Sequence, residues 1–341
     1  MRKFHLYSGA VAALLMAGST FANAASLTLY CAADEAWCQQ MARGFEEETG
    51  ITVDMTRKSS GEIYAQVKAE ASNPKGDIWW AGTGDPHLQA AEEGLTEEYT
   101  SPLQGELHDW AVKQAEAANH RTVGVYSGAL GFGYNKDLLA KNSLPEPKCW
   151  ADLIKPEYKG QIQIANPNSS GTAYTMLATM VQLFGEEKGF EYMKALHMNI
   201  NQYTKSGSAP IKAAGLGETT IGIVFMHDAV AQTAAGFPVV AVAPCEGTGY
   251  EIGSMSIIKG ARNPDEAKKF YDWALRADVQ SKAQDVKSFQ LPSNKAAKQS
   301  PLAPDLSTIK LIEYDFKKYG SSDERKRLLK KWDDEVASLP Q

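Results

Sequence analysis

The sequence predicts an α/β protein of two doubly wound lobes joined by extended crossing strands. Three observations lead there. Near the N-terminus Ser26–Cys31 (SLTLYC) alternates like a strand, Trp37–Gly50 reads as an amphipathic helix closed by glycine, and Ile51–Thr56 (ITVDMT) alternates again. Strand, helix and strand at that spacing imply a parallel sheet. Two later stretches, Val123–Asn135 (VGVYSGALGFGYN) and Val239–Ile258, are extended, punctuated by glycine and free of helical periodicity, as a chain passing between two units would be. A chain of 341 residues also ordinarily makes two compact units of roughly 100–200 residues each.

Ahead of the first strand, Arg2 and Lys3, the uncharged apolar Ala10–Ala17 and the small-residue step Ala22-Asn23-Ala24 have the plan of a secretory signal peptide. Residues 1–24 are therefore set apart from the fold, and the mature chain is expected in a bacterial periplasm. No Cys follows the cleavage step, so a lipid anchor is not expected. The net charge of −6 argues against nucleic acid or an anionic membrane as partner, without excluding a small anion held by local main-chain donors. In an oxidising compartment four cysteines admit three pairings. Cys31 and Cys38, separated by AADEAW, can pin the end of a strand to the first turn of a helix, which leaves Cys149 with Cys245 across a long loop. The C-x-x-C spacing of redox and zinc sites is absent, so structural staples are expected, with no metal and no cofactor.

Beyond the second strand the turn Arg57-Lys58-Ser59-Ser60-Gly61-Glu62 opens a helix reaching about Ala71. The turn NPKG and the apolar run Asp77–Ala81 follow, and Thr83 leaves that run at its carboxyl end, where ligands of open α/β sheets collect. After the first crossing, Gln161–Ala165 is strand-like and runs through Asn166–Tyr174 (NPNSSGTAY) into a helix around Met176–Phe184. A further helix covers Gly189–Leu196, a third Ser/Gly turn spans Lys205–Pro210, and Thr220–Met226 is a strand. Past the second crossing, Pro264–Ala277 and Pro301 to the end read as helical and charged. The basic run Lys326–Lys331 there suits a solvated helix face. The crossings place one lobe in residues 25–125 with about 255–300, and the other in 126–254 with about 301–341.

The stretch NPNSSGTAY puts Ser169, Ser170, Gly171 and Thr172 where the first turn of a helix leaves its N–H groups unpaired, and small side chains let an anion approach them. One such turn is equally an ordinary helix N-cap. Three of them, at Ser59-Ser60-Gly61, Ser169–Thr172 and Ser206–Ala209, exceed what capping requires and suggest that at least two converge on one anion.

Several phrases, LTLYCAADE, GFEEETGITV, NPKGDIWWAGTGD, ALGFGYNKDLL, WADLIKPEYKG, ANPNSSGTAYT and NPDEAKKFYDWAL, resemble the periplasmic solute-binding proteins of ABC importers, in particular their ferric-ion-binding branch, over nearly the whole mature chain. The resemblance implies a type II-like periplasmic binding protein whose two lobes close on a ligand and dock as a monomer on an inner-membrane permease. That branch carries a His after its first strand and a pair of adjacent Tyr after a late strand, because phenolates suit a hard ferric ion. This chain departs at both places: Ala32-Ala33-Asp34-Glu35 holds no His, and after the strand IGIVFM stand His227 and Asp228. In that respect it resembles the AfuA-type subgroup, which binds hexose phosphates.

The resemblance carries Ser59, Ser170, Thr172, His227, Asp228 and Glu251 over as ligand contacts, with Thr83 beside them. The residues agree with a two-ended ligand. Its anionic end would rest on Ser59, Ser60, Gly61, Ser169, Ser170, Gly171 and Thr172. Its hydroxylated end would face His227, Asp228 and Glu251, since imidazole and carboxyl groups match hydroxyls that both donate and accept. Of Trp79 and Trp80, strand alternation would send one, taken as Trp80, against the face of a sugar ring. The expected function is capture of a sugar phosphate such as glucose 6-phosphate. A ferric or ferric-anion carrier and a phosphonate or thiamine-phosphate binder are the alternatives. A phosphatase using His227 and Asp228 is disfavoured: no G-x-S-x-G elbow is present, and neighbours on a strand point to opposite faces.

Overall fold

The computed structural model describes residues 25–340; the expected signal peptide lies outside them. One continuous sheet orders its strands β2-β1-β3-β9-β4-β7-β5-β6, with β8 and β10 added alongside β4. The first half holds β1 (Ser26–Cys31), β2 (Thr52–Arg57) and β3 (Ile78–Trp80), with β1 parallel to both neighbours. The second half holds β5 (Ile162–Ala165), β6 (Ile200–Thr204) and β7 (Ile221–Phe225), with β5 parallel to both neighbours.

The link is β4 (Val123–Asn135), thirteen residues buried from end to end. Its first half pairs antiparallel with β9 (Tyr250–Ile257) and β10 (Leu291–Pro292), and its second half with β7 and β8 (Val239–Val242). Burial on both faces is why this segment shows no alternation in the sequence. The expected second crossing splits in two. β8 stays beside the far half of β4, and only β9 joins the halves. Between them the chain is tied down at Cys245, and Glu246 accepts the N–H groups of Trp150 and Ala151 at 2.8 Å. Both expected disulfides are formed, Cys31–Cys38 and Cys149–Cys245.

In the first half the helices are α1 (Glu35–Thr49), α2 (Ser60–Ala69), α3 (Gly84–Glu92) and α4 (Asp109–Ala117). The second half contributes α5 (Lys136–Lys141), α6 (Gly171–Phe184), α7 (Glu186–His197), α8 (Ala209–Leu216) and α9 (Met226–Ala234). Then come α10 (Pro264–Ala274), α11 (Ala277–Ser281), α12 (Phe316–Tyr319) and α13 (Ser322–Trp332). The tail is less helical than expected. Between Pro301 and Phe316 the chain makes turns and one short 3₁₀ segment, because the prolines at 301 and 304 and the Asp305 side chain, which accepts from the Ser307 N–H, favour turns over helix.

Two principal hydrophobic cores form. One gathers Leu27, Phe45, Trp80, Met255 and Phe270; the other gathers Phe132, Trp150, Tyr174, Ile223 and Trp332. The carboxyl ends of the parallel strands and the helices that follow them face one another between these cores.

Candidate functional site

A cavity lies between the cores, with about 580 Å³ of unoccupied space including its open mouth. Its walls are made largely of helix beginnings. Ser59, Thr83, Ser170 and Ser208 are the N-cap residues of α2, α3, α6 and α8, Phe225 is that of α9, and all five line the cavity. Each first turn leaves N–H groups without helical partners and carries the positive end of the helix dipole. Five such ends around one space make it favourable for an anion. Arg57 adds a full positive charge. Its Nε donates to the Ala33 carbonyl at 3.0 Å and its Nη2 to Ser206 Oγ at 3.2 Å, which holds the guanidinium at the wall.

The same cavity also carries acidic and imidazole side chains. His227 Nε2 lies 3.7 Å from Asp228 Oδ1 and 3.9 Å from Glu251 Oε1, beyond hydrogen-bond reach of either. His227 Nδ1 is buried with no hydrogen-bond partner among the described residues, as is Thr83 Oγ1. Burial lowers the His227 pKa to about 3, so the imidazole is neutral and can both donate and accept. Burial also pushes Asp228 well above the usual carboxylate range, helped by the negative charge of Asp34. Glu251 is raised in the same way, by burial and then by Asp228. Burial shifts both carboxyl groups toward their protonated form, in which a carboxyl can donate as well as accept.

Nine expected contacts therefore meet at the cavity: Ser59, Ser60, Thr83, Ser170, Gly171, Thr172, His227, Asp228 and Glu251. Three do not. Gly61 and Ser169 touch each other across the two halves, the Gly61 N–H donating to the Ser169 carbonyl at 3.0 Å. Trp80 is turned into the first core, edge-on to Trp37 at 4.9 Å, and Trp79 is stacked on His87 at 3.7 Å. Neither indole reaches the cavity, because β3 is only three residues long and covered on both faces. His227 and Asp228 also sit differently than expected. They occupy the first turn of α9 instead of a strand end, so neighbours in sequence both line the cavity.

Asp34, Arg57, Ser208, Lys287, Ser288 and Gln290, which are not among the expected contacts, line the cavity too. Arg57 and Ser208 belong to Ser/Gly turns already singled out. Asp34 follows β1 and accepts from Ser208 Oγ and Lys212 Nζ, both at 2.8 Å. Burial alone would raise its pKa, but Lys212 and Ser208 outweigh that and hold it below the usual value.

The model of the family described as bacterial extracellular solute-binding protein matches residues 73–318. The chain belongs to that family. Among its relatives, an uncharacterized protein of Haemophilus influenzae is 46% identical over 341 residues, covering 98% of this chain and 99% of the relative. The periplasmic binding protein AfuA from Actinobacillus pleuropneumoniae, solved with exogenous fructose 6-phosphate bound, superposes with a TM-score of 0.90 at 47% identity, covering 92% of this chain and 99% of that one. Iron-bound HitA from Pseudomonas aeruginosa superposes with a TM-score of 0.74 at 19% identity, covering 90% and 99%, a likeness of fold alone. The chain thus has the mixed α/β fold of the two-lobed periplasmic binding proteins it superposes on.

Proposed function

We propose that this chain is the periplasmic substrate-binding protein of an ABC importer that captures a sugar monophosphate, a hexose phosphate such as fructose 6-phosphate or glucose 6-phosphate, and delivers it to an inner-membrane permease. One lobe comprises residues 25–125 with about 255–300, the other 126–254 with about 301–341. The observation that carries the reading is the lining of a single cavity, which brings helix N-termini and Arg57 together with His227, Asp228 and Glu251. The likeness to AfuA with its bound fructose 6-phosphate supports it.

The phosphate rests on the N-terminal turns of α2 and α6, where first-turn amides and the hydroxyls of Ser60, Ser170 and Thr172 donate to it, while Ser59, whose hydroxyl donates to the Lys205 carbonyl, lines the turn. The sugar hydroxyls pair with the neutral imidazole and the two carboxyl groups. Contacts from both lobes at once favour the closed arrangement, which is how binding becomes closure. No chemical step is involved: the protein works as a monomer without cofactor, and release to the permease ends the cycle.

Ferric ion is the competing cargo. Where the ferric-binding branch places adjacent tyrosines this chain has His227-Asp228, and a neutral imidazole beside raised carboxyl groups is a poor match for a hard trivalent ion. A thermal-shift screen separates the readings. Hexose 6-phosphates should raise the melting temperature while ferric citrate, thiamine phosphate and an aminoalkylphosphonate leave it unchanged, and incubation with glucose 6-phosphate should release no inorganic phosphate. A ferric-dependent shift with a coloured complex, or sustained phosphate release, would replace this reading.

A further inference from the structure

Gly61 stands at the start of α2, among residues that line the cavity, yet it does not line it, and neither does Ser169. Its N–H is one of the first-turn donors that α2 could offer to an anion, and it is given instead to the Ser169 carbonyl of the other lobe at 3.0 Å. Beside it Ser59 Oγ donates to the Lys205 carbonyl at 3.0 Å, and Ser169 Oγ donates to that same carbonyl at 3.1 Å. Backbone is thus pressed on backbone across the mouth. A β carbon built on Gly61 would stand 2.5 Å from the Asn168 carbonyl oxygen and 2.9 Å from that of Ser169. Those oxygens belong to a turn held by hydrogen bonds from the N–H groups of Ser169 and Ser170 to the Asn166 carbonyl, so they cannot give way as a flexible side chain would.

We propose that Gly61 and the Asn168–Ser169 peptide form a main-chain clasp that permits lobe closure and sets how long the solute is retained, without touching the solute. The proposal rests on the two-lobed capture described above and adds to it a closure determinant outside the ligand contacts. Only a residue without a side chain lets α2 approach the turn closely enough for the Gly61–Ser169 hydrogen bond to form. A second, solvated arm spans the same mouth, the ion pair of Asp34 with Lys212 at 2.8 Å. It is half-exposed and tolerates movement, so it contributes less than the clasp.

Gly61→Ala isolates the effect. Gly61 has an ordinary helical backbone and is absent from the positive-φ positions, and alanine is the better helix former. Each lobe should fold as before, with circular dichroism and melting temperature near those of the native protein. Nitroxide pairs at Asp54→Cys and Gln202→Cys, on exposed positions of the edge strands β2 and β6, report the distance between lobes by pulsed electron resonance. With fructose 6-phosphate the native protein should shift to the short distance. Gly61→Ala should stay long and bind about tenfold or more weakly, through faster dissociation. Lys212→Ala should lose only about two- to threefold and still close.

If Gly61→Ala closes and binds like the native protein, the clasp is refuted while sugar-phosphate capture stands. If neither protein binds fructose 6-phosphate, the capture reading falls and the clasp is judged on ligand-free spectra, where Gly61→Ala must show a smaller short-distance population. Equal populations would overturn it.

Discussion

His227 lies directly over Gly128: a β carbon at Gly128 would be 2.5 Å from His227 Nδ1 and 3.7 Å from Glu251 Oε1. Gly128 is paired with Glu251 in the β4–β9 ladder, so one backbone position forms the floor under both residues. Gly128→Ala should drive the imidazole out of its position and lower affinity for fructose 6-phosphate by about tenfold or more, at a stability cost of about 1–3 kcal/mol for overpacking. Calorimetric titration combined with urea unfolding separates the two effects.

Recognition of the two ends of the ligand should be separable. His227→Ala removes a group that faces only the sugar in this account, so it should weaken fructose 6-phosphate binding by about 1–3 kcal/mol while leaving the weak binding of inorganic phosphate unchanged. Arg57→Met should weaken both. Competition titrations of each variant with fructose 6-phosphate and with phosphate test the division.

Glu93 predicts part of the acid sensitivity. It accepts from Tyr64 Oη and Lys68 Nζ on its own lobe and from Lys326 Nζ on α13, at 2.8, 2.9 and 2.8 Å. Burial raises its pKa, but hydrogen bonds from Lys326, Ser322 and Lys68 outweigh that and bring it down to about 2 from an ordinary 4.5. A carboxylate depressed in the folded state stabilises above its unfolded pKa, and that stability is lost as pH falls through the folded value. Melting temperature should therefore drop between pH 4.5 and about 2, and Glu93→Gln should melt lower at neutral pH with a shallower fall in that window. Parallel melting curves across pH check both features.

The two disulfides should contribute unequally. Cys149–Cys245 spans 96 residues and Cys31–Cys38 only seven, and loop-closure entropy gives about 4–5 kcal/mol for the longer span and about 2 kcal/mol for the shorter. Replacing each pair by serine and measuring urea midpoints should show the larger loss for Cys149/Cys245.

Much of this was legible before any coordinates. Local signals survive folding: Gly50 ends α1 in the left-handed conformation that its place after the helix implies, and Ser59 and Ser170 cap the helices their sequence announces. What could not be read was which of several small or aromatic residues faces which partner. Trp80 and Gly61 have the right chemistry for a sugar face and an anion cradle, and tertiary packing assigns them to the core and to the lobe contact. Lys287, Ser288 and Gln290 arrive at the cavity from far along the chain, with no local pattern to mark them. The strand read as Thr220–Met226 stops at Phe225, and α9 begins at Met226, so His227 and Asp228 stand in a helix turn that the apolar run does not announce.

The most direct test of the central claim is isothermal titration of the native protein, side by side, with fructose 6-phosphate, fructose and inorganic phosphate. A ligand bound at both ends predicts tight one-to-one binding of the sugar phosphate, and binding of each half alone weaker by orders of magnitude. Equal affinity for phosphate alone, or tight binding of the free sugar, would contradict it.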